Sequence, residues 1–239
     1  MKEKAISFCR QLIPMIYADI KTHTRRPFTF KTLGGKNPIP HFSGYSLGEY
    51  YTGHIDTGAV LYSRGANGCL NQVTERAMPR YKVGDILYVK EEYYEYGHWG
   101  ENGKTKTGKR KRKFMPVNPF GNDKDYPIYY ADTLPKDIVV LKDRFCPDFG
   151  YFWRNSRFMP RRAARLFLRL KGIRAERLQD ITPEDVIKEG IKADPYGRLP
   201  IQVFADLWDG LNEAREYGWF INPYVFVYIF ERIKDYGQA

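Results

Sequence analysis

The chain has 239 residues, of which 43% are hydrophobic and 16% aromatic, enough to bury the core of one large domain. Its 39 lysines and arginines outnumber its 28 acids, and the formal net charge of +11 favours negatively charged partners such as nucleic acids or nucleotides. This composition excludes a disordered tail, and no apolar run approaches the length of a membrane span.

Cysteine and histidine usage excludes two further classes of protein. Three cysteines lie far apart in the chain: Cys9, Cys69 and Cys146. They are too scattered for a disulfide framework or a zinc site. Four histidines lack the spacings typical of catalytic metal sites: His23, His41, His54 and His98. Since the N-terminus also lacks a signal-peptide core, we expect a cytoplasmic protein without metal or other cofactor.

The N-terminal third divides into an apolar segment and a loop-rich one. In residues 6–20, apolar side chains recur every three or four positions, which predicts a helix that is interrupted or restarted at Pro14. Residues 29–80 contain many glycines and prolines and only short apolar runs. We interpret them as an insertion that covers other parts of the protein, for example as a lid over a pocket.

The middle of the chain predicts a strand and a basic tip. Residues 84–90 (GDILYVK) indicate a turn that leads into a buried strand, because β-favouring side chains occupy both faces. The basic run that follows predicts an exposed hairpin tip or a disordered loop. Its cations are candidates for binding RNA phosphates, with a solvated loop as the alternative. They are Lys104, Lys106, Lys109, Arg110, Lys111, Arg112 and Lys113.

Strands and helices alternate in the C-terminal half. We predict strands at residues 127–131 and 164–178, with a bend or bulge at Gly172, and a strand buried on both faces at residues 223–233. Thr182, Pro183 and the acids after them predict a helix start, and Gly190 its end. Residues 199–215 predict an amphipathic helix. The combination is typical of an α+β fold.

Residues 21–26 (KTHTRR) carry the groups most suited to chemistry. On a helix, Lys21 and Thr24 would share a face. An amine in contact with a hydroxyl can activate it as a nucleophile, provided that burial removes the proton from the lysine near neutral pH. A solvated basic turn at a helix end is the alternative interpretation.

Three motifs together resemble the ASCH family of PUA-like β-barrel domains. Residues 21–26 resemble its K-x-x-T-x-R signature, residues 83–89 (VGDILYV) its "GD-hydrophobic" strand, and residues 178–191 (LQDITPEDVIKEGI) its short helix after a long central strand. Residues 157–161, 207–212 and 219–233 are similar to longer ASCH-type proteins of phages and prophages. The resemblance leaves out residues 29–80 and the basic run, and Asp19 stands where a glycine is common in the family.

The resemblance implies a single ASCH domain over residues 1–239: a small β-barrel flanked by helices, with insertions at about 29–80 and 97–125. One bacterial member is an amidohydrolase that removes the acetyl group from N4-acetylcytidine with a lysine, a threonine and a glutamate. The matching positions are Lys21, Thr24 and Glu189. The implied function is metal-independent hydrolysis of N4-acylated cytosine nucleosides or bases. RNA binding, with ribonuclease activity in some relatives, is the alternative.

The chemistry leaves several roles open. Lys21 could take the Thr24 proton, or could hold an oxyanion if it stays paired with Glu189, and Thr24 could attack the substrate or position a water. Glu189, near the C-terminal end of a helix, is expected to have a raised pKa and to serve as acid and base. Arg26 could hold the developing negative charge or orient Glu189. Candidates for lining the base pocket are Ser156, Phe158 and Met159, for which core packing is the alternative.

Overall fold

A computed structural model of the chain describes residues 2–28, 45–47, 61–64, 70–72, 79–117, 128–130, 135–136, 138–143, 148–192, 194, 196–234 and 236. For residues 45–47, 61–64, 70–72 and 128–130 the description covers the backbone alone. Most of the predicted insertion at 29–80, and residues 118–125 of the second insertion, lie outside the described residues.

The described part is an α+β arrangement, as the sequence predicts. Its strands are β1 (Glu3–Ser7), β2 (His23–Pro27), β3 (Tyr45–Leu47), β4 (Leu61–Arg64), β5 (Leu70–Gln72), β6 (Ile86–Lys90), β7 (Tyr93–Lys104), β8 (Arg110–Pro116), β9 (Ile128–Tyr130), β10 (Val140–Leu141), β11 (Gly150–Arg154), β12 (Phe167–Arg177) and β13 (Tyr224–Ile233). Its helices are α1 (Ile13–Tyr17), α2 (Pro183–Lys188) and α3 (Pro200–Asn212).

These strands form three sheets. The first, the main sheet, has the order β1-β6-β12-β13-β2, the second has the order β10-β11-β7-β8 with β9 also paired to β7, and the third has the order β3-β4-β5. All three are open in the part of the chain that the structure describes, so the closed barrel implied by the ASCH resemblance is not observed there.

The chain divides into two compact units. The first comprises Met1–Lys4, Gln11–Leu87 and Leu166–Ala239, and the second Ala5–Arg10 and Tyr88–Arg165. The single-domain assignment stays a prediction. Strands β12, β13 and β2 lie wholly in the first unit, and β7, β8 and β11 in the second.

The core of the first unit lies between the main sheet and helices α2 and α3. Val225 and Val227 of β13 pack with Val186 of α2 and with Phe204 and Trp208 of α3. Strand β12 pairs with β13 along its length, and its register shifts between Leu170 and Gly172, where the sequence predicts a bulge.

One predicted element is wrong. Residues 6–20 do not form one interrupted helix: Ile6 is in strand β1, and only Ile13–Tyr17 is α-helical. Pro14 is in the first turn of α1. Proline is tolerated there because the backbone N–H groups of a helix's first turn have no acceptor within the helix, so the N–H that proline lacks is not needed. The same three- to four-residue spacing of apolar side chains is thus divided between a strand and a short helix.

Candidate functional site

The turn after α1 places Lys21. Asp19 has a left-handed backbone with φ of 57°, a conformation that favours glycine and that aspartate tolerates better than most residues. The backbone N–H groups of Ile20 and Lys21 both donate to Met15 O, each at 2.9 Å. Asp19 therefore adopts the backbone conformation suited to the glycine that is common in the ASCH family.

Strand β2 separates two sets of side chains. Thr24 pairs with Tyr228 of β13, Arg25 with Val227 and Arg26 with Phe226. Successive residues in a strand point to opposite faces, so Thr24 and Arg26 share one face and Arg25 points to the other. Lys21 precedes this strand, so the predicted helix face shared by Lys21 and Thr24 does not form.

Lys21 and Glu189, 168 positions apart, form a buried ion pair. Lys21 Nζ donates to Glu189 Oε2 at 2.8 Å, to Glu189 O at 2.7 Å and to His23 O at 2.8 Å. The two side chains are only 1% and 6% exposed. Three acceptors match the three N–H bonds of an ammonium, whereas a neutral amine has two. The geometry therefore favours a charged lysine that holds Glu189 over a lysine that acts as a base.

Arg25 links the same carboxylate to two others. Its guanidinium donates to Glu189 Oε1 at 3.0 Å, to Glu176 Oε1 at 2.6 Å and to Asp185 Oδ2 at 2.7 Å. Arg174 donates to Glu176 and Asp185. We call this group the buried ion cluster: Lys21, Arg25, Arg174, Glu176, Asp185 and Glu189. It contains three cations and three carboxylates, so the charges balance.

The cluster shifts the pKa values of Arg25 and Asp185. Burial lowers the pKa of Arg25, but the charges of Glu189 and Glu176 and hydrogen bonds outweigh it, and the pKa is raised overall. Burial raises the pKa of Asp185, but hydrogen bonding to Arg25 and the charge of Arg174 lower it below the ordinary value. Both shifts favour the charged forms of Arg25 and Asp185.

Helix α2 positions Glu189 in the buried ion cluster. Thr182 caps the helix, as predicted, by accepting a hydrogen bond from the Asp185 N–H at 3.2 Å, and Glu189 is the residue at its C-terminal end. Gly190 follows with a φ of +88°. A Cβ at Gly190 would lie 3.1 Å from Lys21 Cβ, so glycine allows the turn to pass close to the lysine.

Thr24 and Arg26 lie among tyrosines on the other face of the main sheet. Tyr228 is directly opposite Thr24, and the ring of Tyr81 meets that of Tyr228 edge-on at 5.1 Å between centroids. Burial raises the pKa of Tyr228 to about 12. Burial also lowers the pKa of Arg26, against the opposing influence of Tyr81 and Glu189. The surroundings of Thr24 are therefore aromatic and buried, and they contain a guanidinium.

The predicted pocket residues Ser156, Phe158 and Met159 belong to the second unit, whereas Lys21, Thr24 and Glu189 belong to the first. Met159 is buried with Tyr93, and its Sδ accepts from the Glu91 N–H at 3.0 Å, which is the core-packing alternative. Phe158 is 57% exposed. Their role in lining a base pocket stays a prediction.

Sequence reasoning missed Arg25, which the structure places at the centre of the buried ion cluster.

Neither a scan of family models nor a search of curated proteins and solved structures finds a protein that matches this chain. The described residues include no group of three or more His, Cys, Asp or Glu side chains arranged to hold a metal ion. None of their helices is both apolar enough and long enough to cross a bilayer.

Proposed function

We propose that this chain is a divergent ASCH-type amidohydrolase that removes acyl groups from N4-acylated cytosine nucleosides or bases. The observation that carries the proposal is the contact between Lys21 and Glu189, two residues that the resemblance singles out and that lie far apart in sequence. The left-handed backbone at Asp19 adds to it, because the family commonly has glycine there. The PUA-like fold is part of the same proposal.

In the proposed reaction, Glu189 transfers protons and Arg26 stabilises negative charge. Both oxygens of Glu189 are held by cations, Lys21 and Arg25. Because β2 places Thr24 on the face opposite this carboxylate, the proposal requires water to relay the proton to Glu189 from the Thr24 hydroxyl or from a water that Thr24 positions. The oxygen formed attacks the acyl carbonyl. Arg26, on the Thr24 face, stabilises the negative charge that develops on the carbonyl oxygen. Glu189 then returns the proton to the departing N4 nitrogen. Where Thr24 Oγ is the attacking oxygen, a water then hydrolyses the acyl ester left on Thr24, which releases the carboxylic acid and restores the hydroxyl.

The proposal also needs walls for the base, because a flat heterocycle is bound best between apolar or aromatic side chains with a few polar contacts. Tyr228 lies on the same face as Thr24 and Arg26 and contacts Tyr81, and we add these two rings as candidates for such walls. Ser156, Phe158 and Met159 stay candidates as well.

The test is hydrolysis of N4-acetylcytidine by chelator-treated protein, with cytidine measured by liquid chromatography and mass spectrometry. We expect Glu189→Gln to lower kcat/KM at least about 100-fold, the loss typical of removing a general base, and Thr24→Ala to lower it at least as much, because it removes the attacking or water-positioning hydroxyl. Thr22→Ala and Glu184→Gln are the matched controls, since each makes the same type of substitution within five positions in the same segment.

The controls should retain activity and all four variants should keep the wild-type circular dichroism spectrum. Lys21→Met should lose activity as well, since Glu189 then lacks one of the two cations that hold it. Undiminished hydrolysis in Thr24→Ala and Glu189→Gln would end the proposal, and so would the absence of any acyl release by the wild-type chain from acetyl and longer N4-acyl substrates.

A second candidate function is RNA binding, and the exposure of the predicted basic tip favours it. The run forms the end of the hairpin β7–β8, where Thr105 N–H donates to Lys109 O at 2.7 Å and Gly108 has a φ of +79°. Lys109, Lys111 and Lys113 are exposed. The hairpin therefore holds cations in solvent, where phosphates can reach them.

This candidate predicts RNA affinity that falls steeply with salt. Replacing Lys109, Lys111 and Lys113 by Gln should lower the slope of log Kd against log salt by about 2, at about 0.7 for each cation on a single strand. The control with the same change in net charge replaces Lys2, Lys82 and Lys192, which are exposed in the first unit. Affinity that is indifferent to salt would contradict RNA binding by this hairpin.

A further inference from the structure

The two faces of the sheet in the second unit differ sharply. Along β7, Tyr93, Glu95 and Gly97 are buried, whereas the residues between them are only half-buried. The buried face is a packed core in which the Arg154 guanidinium lies 4.1 Å from the centre of the Phe114 ring. The other face carries a further set of rings: Tyr94, Tyr96, His98, Phe149, Tyr151 and Trp153. We call it the outer aromatic face.

The strand register brings these rings together. Tyr151 of β11 pairs with Tyr96 of β7, and their rings meet edge-on at 5.2 Å between centroids. Trp153 pairs with Tyr94 in the register of the same two strands. Directly paired residues lie on the same face of a sheet, so the rings form two adjacent rows across β11 and β7.

Solvent reaches this face. Trp153 is 43% exposed and Phe149 is 54% exposed, although both are large apolar side chains. Phe149 also lies 4.5 Å from the His98 ring, between centroids, which extends the rows toward the hairpin. Exposed aromatic groups of this size on one face indicate a binding surface.

The basic residues beside the outer aromatic face favour a negatively charged partner. Lys113 of β8 pairs with Gly100, which is the next residue of β7 after His98 on the same face of the sheet. From Lys113, the basic residues continue along β8 to the tip of the hairpin. Between residues 93 and 117 there are seven lysines and arginines against two glutamates. Since a strand of 12 residues such as β7 extends about 40 Å, the rings and the cations share one elongated strip.

We infer that the outer aromatic face and the adjoining basic hairpin bind single-stranded nucleic acid. Bases of a single strand offer π-faces that stack on aromatic side chains, while the phosphates follow the lysines and arginines. A duplex hides its π-faces, and an ordinary protein partner offers no row of negative charges. The inference rests on the second of the two proposed functions and names the surface and the nucleic-acid form.

The experiment measures fluorescence anisotropy of a labelled 20-nucleotide single-stranded RNA without self-complementarity, and of the corresponding duplex. We expect the single strand to bind more tightly, and Trp153→Ala and Tyr94→Ala each to weaken it about 5- to 150-fold, as loss of one stacked ring does. Trp153→Phe should retain most of the affinity. The salt slope should stay unchanged in all three, because no charge is removed.

Phe220→Ala is the matched control, since Phe220 is an aromatic residue of the first unit that is 93% exposed. Full affinity in Trp153→Ala and Tyr94→Ala, together with loss in the variant with Lys109, Lys111 and Lys113 replaced, would overturn the stacking surface and leave RNA binding standing. Equal affinity for the duplex would overturn it too. If the wild-type chain binds neither the single strand nor the duplex, the stacking surface and RNA binding by the hairpin are both contradicted.

Discussion

Two regions of this protein, the buried ion cluster of the first unit and the basic hairpin of the second, use charge in opposite ways. In the first unit, Arg25 has no exposed side-chain surface and contacts three carboxylates. In the second, Arg110 at the hairpin is 77% exposed and forms an exposed ion pair with Glu101 at 3.1 Å. A buried cation depends on its partners for solvation, whereas an exposed one is solvated by water.

This difference separates the two proposed functions. Charges that are buried and paired hold a carboxylate in one position, which catalysis requires. Charges that are exposed keep their attraction for a mobile polyanion, which binding requires. Substitutions of the same kind in the two units therefore measure what each arrangement contributes.

The largest contrast is expected between Arg25→Met and Arg110→Met. Removing Arg25 leaves three carboxylates facing one another without their shared cation, and we expect the free energy of unfolding to fall by about 3–5 kcal/mol. Removing Arg110 should cost about 0–1 kcal/mol, since its ion pair is exposed. Urea denaturation followed by circular dichroism measures both. Equal losses in the two variants would show that the buried ion cluster does not stabilise the fold.

Local signals predicted much of this architecture. Thr182, Pro183 and Gly190 define α2 because helix ends depend on hydrogen bonds and backbone angles within a few residues. The bulge near Gly172 and the strand after Pro223 were also predictable from local signals, namely a glycine within a strand pattern and a run of β-favouring side chains. Residues 6–20 were mispredicted, because a spacing of three to four apolar residues also fits a strand followed by a short helix.

Arg25 shows what local signals lack. Its partners Glu176, Asp185 and Glu189 lie 151 to 164 positions away, so no short motif pairs them. The missing step was to interpret residues 23–27 as a strand. Alternation along β2 would then have separated Arg25 from Thr24 and placed it with the acids. Lys21 was a candidate from its residue type and its spacing to Thr24, whereas Glu189 was joined to it only through a family resemblance, which carries long-range information that spacing does not.

The second contrast compares two glycines with left-handed backbones. Gly190→Ala adds a Cβ that meets Lys21 and Met15, whereas a Cβ at Gly108 on the hairpin tip would have nothing within 4 Å. We expect Gly108→Ala to cost about 1–2 kcal/mol from backbone strain alone. Gly190→Ala should cost about 2–5 kcal/mol, because crowding adds to the strain.

Gly190→Ala should also reduce hydrolysis of N4-acetylcytidine, since the added methyl group displaces Lys21 from Glu189. Denaturation at one pH and the kcat/KM of the folded fraction give the two readings. If the two alanine variants lose equal stability, the close approach of the α2 turn to Lys21 does not limit the site.

The smallest effect concerns His23, which adjoins the buried ion cluster. Burial lowers its pKa; the carboxylates of Asp185 and Glu189 act in the opposite direction, and the cations of Arg174 and Lys188 act with burial. Its Nδ1 lies 2.9 Å from the Thr22 hydroxyl. The folded protein therefore favours the neutral imidazole more than the unfolded chain does, in which the pKa is about 6.5.

The sign of the pH dependence follows from that difference. The stabilisation is fully present above pH of about 6.5 and is lost as the pH falls through the folded-state pKa, because the unfolded chain binds the proton first. We expect the free energy of unfolding to decline between pH 7.5 and 5.5, and less so in His23→Gln. Thr22→Val removes the hydroxyl partner and keeps the imidazole, so it should decline like the wild type. An equal decline in His23→Gln would assign the titration to another group, and not to Asp185, which titrates at lower pH.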